Sequence, residues 1–148
     1  MTPPKILPPH YFLLALLGIV GAGILEGGSV LPGPWYLLGA IPILTGVLIA
    51  VQGSRQFARA GTNIIPFSES TALVTEGVFS LSRNPMYTGM VLALAGTAVI
   101  MNGLSAWLVV VAFVAIIRGY FIRHEETLMA RTFGQAYLDY KARVRRWI

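Results

Sequence analysis

Two short stretches of this chain carry residue types that can do more than fold. The first is Arg83-Asn84-Pro85-Met86-Tyr87, preceded by Leu73-Val74-Thr75-Glu76-Gly77-Val78-Phe79. Asn84 suits a helix N-cap, where its side chain accepts from free backbone N–H groups, and Pro85 suits the first helical position, where a missing donor does no harm. Arg83 and Tyr87 are left over. They set a fixed cation and an aromatic hydroxyl beside one helix terminus, whose positive dipole end makes a seat for a carboxylate. The second stretch is Arg118 followed by Arg123-His124-Glu125-Glu126. Adjacent glutamates at helical spacing from Arg118, Arg123 and Arg131 form either a solvated, self-paired face or an acidic ligand pair. Taken alone, an acidic pair on a helix is more often a solvated face; its place at the end of an apolar run, where one stretch can fold over the other, argues the other way.

Other chemistries are excluded by composition. With no cysteine in the chain there is no disulfide scaffold, thiolate metal site or cysteine nucleophile. His10 and His124 are far apart in sequence, so no histidine-rich metal site is expected.

The elements that must position these residues are those of a membrane protein. Of 148 residues, 55% are hydrophobic and 11% charged, against roughly 25% charged in ordinary soluble domains. The mean hydropathy is +0.70. Soluble globular, disordered and fibrous chains are ruled out, leaving an all-α integral membrane protein. A bilayer core takes about 20 apolar residues of helix. The charge-free stretches predict four transmembrane helices, at about residues 11–30, 35–56, 85–101 and 104–122, with Asn102-Gly103 as the tight turn between the last two. The leading apolar run is longer than a signal-peptide core and is expected to be retained.

Charge is sorted as well as scarce. Lys5, Arg55, Arg59, Arg83 and the seven basic residues from Arg118 to Arg146 fall on one side of a four-span chain, while residues 28–34 and 102–103 hold no lysine or arginine. By the positive-inside rule that side is cytoplasmic, with both termini there. The formal charge of +5 is therefore a topology marker and not a nucleic-acid footprint. Gly23-x-x-x-Gly27 and Gly89, Ala93 and Gly96 predict close helix packing. Glu26, an acid near the far-side end of its helix, predicts a structural role. Beyond a break at Gly134, Tyr137, Tyr140, Val144 and Trp147 share one face among Lys141, Arg143, Arg145 and Arg146. That pattern predicts an amphipathic tail on the membrane surface, drawn to anionic lipid.

Taken together, four pieces resemble the isoprenylcysteine carboxyl methyltransferase family, its bacterial relatives and the phospholipid N-methyltransferases. They are Leu73-Val74-Thr75-x-Gly77-Val78-Phe79, Arg83-Asn84-Pro85-x-Tyr87-x-Gly89, Glu125-Glu126 with Leu128 after it, and Phe133-Gly134-x-x-Tyr137-x-x-Tyr140, in the family's order from about residue 61 to the end. The resemblance implies one membrane-embedded domain over residues 1–148, with a two-helix scaffold in 1–57 and a half that binds S-adenosylmethionine in 58–148. It places Leu73, Val74, Phe79, Asn84, Pro85, Met86 and Tyr87 along the cofactor site. Glu125 becomes the acidic cofactor contact, with Glu126 and Tyr137 beside it and Arg83 in the catalytic set. Asparagine stands at position 84 where the family often has histidine, and Phe79 where tyrosine is common. Phe121 falls where the prenylcysteine enzymes carry a substrate-contacting arginine, which leaves Arg118 or Arg123 for that role.

The implied function is methyl transfer at the cytoplasmic membrane boundary to a lipophilic or small acceptor bearing a thiol, carboxylate or amine. A sulfonium is already a strong electrophile, so such a protein has mainly to align donor and acceptor and exclude water. A thiolate or carboxylate acceptor needs no dedicated base, whereas an ammonium must first lose a proton. Membrane lipid is the expected surrounding partner, nucleic acid and metal are not expected, and the location is the inner (plasma) membrane of a prokaryote. The alternative is a non-enzymatic four-helix protein such as a small transporter subunit; the buried midplane charge and internal repeat of a transporter are not seen in the sequence. A surface adaptor using the basic tail would leave the earlier motifs unexplained.

Overall fold

A computed structural model describes residues 6–27, 30–62 and 70–148. The expectations placed on Lys5 and on positions 28 and 29 of the first far-side loop lie outside the described residues. Every regular element among the described residues is helical.

Helix α1 (Pro8–Glu26) begins at a proline and stops where Gly27 adopts a left-handed φ of 73°, its N–H donating back to the Gly23 carbonyl. The expected continuation to residue 30 is cut short by that turn, because a left-handed residue closes the last carbonyls of a helix. Next comes a 3₁₀ segment, Gly33–Gly39, which runs directly into α2 (Ala40–Arg59). Proline at the start of the segment favours this tighter entry. Helix α3 (Pro85–Met101) has the expected bounds and ends at Asn102, whose φ of 54° makes the predicted turn. Helix α4 (Ser105–Ile116) passes without interruption through a π-turn, Ile117–Ile122, into α5 (Arg123–Phe133). Gly134, with φ of 53°, then breaks the chain before α6 (Gln135–Arg143).

Three of these helices are long and apolar enough to cross a membrane: Pro8–Glu26, Gly33–Arg59 and Ser105–Phe133; α3 is apolar and shorter, at 17 residues. In the last of the three the apolar part ends at Ile122, and Arg123, Glu125, Glu126 and Arg131 follow. Leu14, Leu17, Ile24, Leu44, Leu48, Leu108 and Val111 all point outward and are exposed, an outer surface suited to lipid and not to water.

Helix α3 is the hub. It packs against α2 on one side and against α1 and α4 on the other, while α1 and α4 also pack together. The α2–α3 seam is made of glycines. A Cβ on Gly39 would run into the Gly96 carbonyl, and one on Gly46 into the Gly89 carbonyl; a Cβ on Gly53 would sit 3.1 Å from Met86 Cγ. These backbones touch, as small residues permit in lipid. Gly23 is likewise filled by Met101, but Gly27 meets nothing within 4 Å, so only the first member of the Gly23-x-x-x-Gly27 pair serves packing. On the other side, Ile19, Leu94, Ala98, Phe113, Ile117 and Phe121 form one apolar core shared by α1, α3, α4 and the π-turn.

The far-side loops are tied by side chains. Asn102 donates from Nδ2 to the Leu31 carbonyl at 2.9 Å and accepts from the Leu31 N–H at 2.6 Å. Glu26 accepts from the backbone N–H groups of Leu104 and Ser105 at 3.1 and 3.0 Å. It thereby caps α4 from a neighbouring helix, the structural role expected of it, since the first N–H groups of a helix have no partner of their own.

Candidate active site

The opposite end of the bundle gathers the unusual residues. Gly77, at a φ of 58°, turns the chain into a single 3₁₀ turn, Gly77–Ser80. Phe79 is buried there, its ring edge-on to Phe57 with centroids 4.9 Å apart. Its carbonyl accepts from Tyr140 Oη at 2.6 Å. The chain then reaches α3 through a small polar knot. Ser82 Oγ accepts from the Asn84 N–H at 3.1 Å and lies 3.2 Å from Thr88 Oγ1, which itself donates to the Asn84 carbonyl.

Asn84 holds the N-cap position but not the expected cap bond. Its side chain donates instead to the Arg146 carbonyl at 3.0 Å, where Ser82 Oγ also donates at 3.2 Å. The Arg83 N–H donates to the Arg145 carbonyl at 2.9 Å. The end of the chain is thus strapped across the start of α3. The tail expected to lie out on lipid has its aromatic face turned inward: Tyr137 and Tyr140 are buried and Trp147 packs on the core. Burial holds the Tyr140 hydroxyl at a pKa of about 12.

The π-turn decides where the two glutamates point. Inward positions along α4 are Ala106, Val110, Phe113 and Ile117, at α-helical spacing. Continued unbroken, that spacing would bring residue 124 to the same face. A π-turn closes i→i+5 bonds and takes up an extra residue, so Phe121 and Ile122 are buried and Glu125 comes inward. Tyr87 Oη donates to Glu125 Oε1 at 2.6 Å, joining the first turn of α3 to α5. Burial raises the Glu125 carboxyl to about 7, against the lowering effect of the Tyr87 hydrogen bond.

Glu126 is differently occupied. Arg146 reaches it with two nitrogens at 2.8 and 2.7 Å, Arg83 Nη2 lies 3.1 Å away, and Lys141 Nζ lies 3.8 Å away. Burial alone would raise this carboxyl; the Arg146 hydrogen bond and the charges of Arg83, Arg146 and Lys141 together hold it below the ordinary value. Tyr137 stands next to this cluster. Its hydroxyl is raised by burial and by the Glu126 charge, with Arg83 and Arg146 opposing. Arg83 itself is buried, its side chain only 8% exposed. Its Nε and Nη1 are buried and have no hydrogen-bond partner among the described residues.

Of the residues singled out in the sequence, Arg83, Tyr87, Glu125, Glu126 and Tyr137 are therefore brought together at one point. Pro85, Met86 and Phe79 line its neighbourhood, with Pro85 and Phe79 buried and Met86 half-buried. Leu73 and Val74 are half-buried on the irregular segment leading to Gly77. Arg118 and Arg123 face outward and are exposed, and neither makes an ion pair among the described residues. Ser82 gave no sequence signal, and Arg146 gave only that of a surface cation. Among the described residues no three His, Cys, Asp or Glu side chains cluster as a metal site would need.

Residues 34–136 match the family model for phospholipid methyltransferase. Protein-S-isoprenylcysteine O-methyltransferase A of Arabidopsis thaliana is 33% identical over 146 residues, covering 91% of this chain and 71% of that protein. Protein-S-isoprenylcysteine O-methyltransferase B of the same plant is 30% identical over 118 residues, or 74% of this chain and 58% of that protein. An uncharacterized protein of Haemophilus influenzae is 36% identical over 63 residues, 43% of this chain and the whole of that protein. No solved structure matches the chain.

Proposed function

Because the chain belongs to the phospholipid methyltransferase family, we propose that it transfers a methyl group from S-adenosylmethionine to a lipophilic or small acceptor at the cytoplasmic boundary of the membrane. The observation that carries this reading is the meeting of Tyr87, Glu125 and a buried, half-used Arg83 where α3 and α5 leave the apolar layer.

The residues present fit the cofactor. Two buried guanidinium nitrogens without an acceptor suit a carboxylate, since a charged donor left unpaired in a dry site is costly. Glu125 is an acceptor for hydroxyl groups, and Leu73, Val74, Phe79, Pro85 and Met86 offer apolar and aromatic surface to a flat base. In this reading Arg83 holds the amino-acid end, Glu125 the ribose, and Tyr87 orients Glu125. When bound, the cofactor supplies an electrophilic methyl on sulfur. The protein's own residues bind, orient and keep out water. Asn84, with its amide on the Arg146 carbonyl, acts by holding the tail across the site, and no proton transfer is assigned to it. Glu126 and Tyr137 act from the same layer, Glu126 by anchoring Arg83, Lys141 and Arg146. Arg118 and Arg123, exposed on the π-turn and at the start of α5, are the cations open to an acidic group of the acceptor. The acceptor bears a thiol, carboxylate or amine.

In the same reading α3 is the fourth membrane span, slightly short and matched by local thinning of the bilayer. Both termini are cytoplasmic, and the membrane is the inner membrane of a prokaryote. Residues 1–57 are scaffold and 58–148 form the half that binds the cofactor.

The test is binding of S-adenosylhomocysteine to the protein purified in detergent. Glu125→Ala should weaken it by about tenfold or more, the loss of a hydrogen-bond acceptor in a desolvated site. Glu126→Ala should weaken it less while lowering the unfolding temperature, because three cations lose their partner. Equal and small effects on binding from the two changes would show the acidic pair to be a solvated face.

A further inference from the structure

Roughly nine in ten buried polar groups in proteins are hydrogen-bonded, so an orphan asks for an explanation. Among the described residues three buried side-chain atoms have no partner: Arg83 Nε and Nη1, used above, and Gln56 Oε1. Gln56 lies near the end of α2, where Gly53, Gln56 and Phe57 fall on one face at i, i+3 and i+4. Its two neighbours on that face fix its surroundings. Gly53 abuts Pro85 and Met86, and Phe57 meets Phe79 ring to ring. A Cβ on Gly77 would run into the Gln56 amide itself. Gln56 therefore lies against the Gly77–Ser80 turn, on the face of α2 that meets the start of α3 through Gly53, the two segments assigned above to the methyl donor. The neighbours on its own face touch proline, methionine and phenylalanine, company in which leucine or methionine would pack without stranding a polar atom.

We infer that Gln56 is a further contact for the methyl donor, its side-chain oxygen accepting a hydrogen bond from an N–H or O–H of the bound ligand. The inference rests on the methyltransferase reading. The ligand class supplies such donors in an exocyclic amine, ribose hydroxyls and an ammonium, just as its carboxylate answers the unfilled nitrogens of Arg83. Gln56 is the contribution of α2, a helix that otherwise reaches the site only through packing. It also gives Gly77 a second reason to be glycine, besides its positive φ: a side chain there would displace the amide.

The experiment is calorimetric titration of the full chain in detergent with S-adenosylhomocysteine, alongside thermal unfolding without ligand. Gln56→Met, of similar shape but with no oxygen, should bind about tenfold more weakly while unfolding at the same temperature or higher. Gln56→Asn, which draws the amide back by one methylene, should also bind more weakly and guards against a packing fault peculiar to methionine. Saturable binding by the unchanged protein with Gln56→Met within twofold of it would overturn the contact alone, whether or not its unfolding temperature fell. Absence of saturable binding by the unchanged protein would overturn the methyltransferase reading and the contact with it.

Discussion

At the scale of single residues, two adjacent carboxyls meet opposite environments. Glu125 is buried against Tyr87 and raised to about 7, whereas Glu126, among Arg83, Lys141 and Arg146, is held below its ordinary value near 4.5. A group whose pKa is depressed by folding adds stability that is complete above its unfolded pKa and is lost as pH falls through the folded one. The fold should therefore loosen in acid through Glu126, with the tail the first part affected. In thermal unfolding in detergent, the unfolding temperature of the unchanged protein should fall more steeply below about pH 4.5 than that of Glu126→Gln. Parallel curves would show that the cluster adds nothing. The acidic pair was visible in the sequence as a pair, but its division of labour was not. It depends on cations 20 and 43 positions away (Arg146 and Arg83) that only the folded chain brings near. Asn84 illustrates the same limit. Its position at the start of α3 follows from the Asn-Pro dipeptide, yet its side chain answers a carbonyl at the far end of the chain, a partner that no local rule names.

At the scale of elements, a seam of glycines and one extra residue in a turn do the positioning. The packing of α2 is chiefly on α3, along Gly39, Gly46 and Gly53. Gly46→Ala should push a methyl into the Gly89 carbonyl and cost about 1–3 kcal/mol by overpacking, read as a lower unfolding temperature in detergent. Gly21→Ala, where a Cβ meets nothing within 4 Å, is the control and should be neutral or slightly stabilising. Equal effects would mean that the seam is not in contact. Gly89 and Gly96 were legible as packing residues because small side chains recur along an apolar helix, and α3 itself was legible to the residue because proline opens it and Asn-Gly closes it. The π-turn was not legible. Residues 104–117 hold almost no polar residue to mark a face, so nothing in their pattern shows a change of phase. The amphipathic tail misled for a related reason, since aromatic residues on one face suit lipid and a protein core equally well.

At the scale of the whole molecule, the two ends of the bundle differ in kind. One is closed by Asn102, Leu31 and Glu26 with no cation in its loops; the other holds Arg83, Lys141, Arg146 and the exposed Arg118 and Arg123. This polarity suits a protein that takes a water-soluble donor from one side of a membrane and a greasy acceptor from within it. Because the chain has no cysteine, single cysteines report topology cleanly. A membrane-impermeant maleimide should label Leu104→Cys in intact cells and Ala142→Cys only after permeabilisation. The reverse order would invert the orientation and move the site to the other face.

The most direct measurement is equilibrium binding of S-adenosylmethionine, or of its demethylated product, to the purified full chain in detergent. We expect saturable one-to-one binding that Glu125→Ala weakens by about tenfold or more. No saturable binding at millimolar ligand, with the protein folded by its thermal transition, would contradict the assignment of the Arg83–Tyr87–Glu125 site.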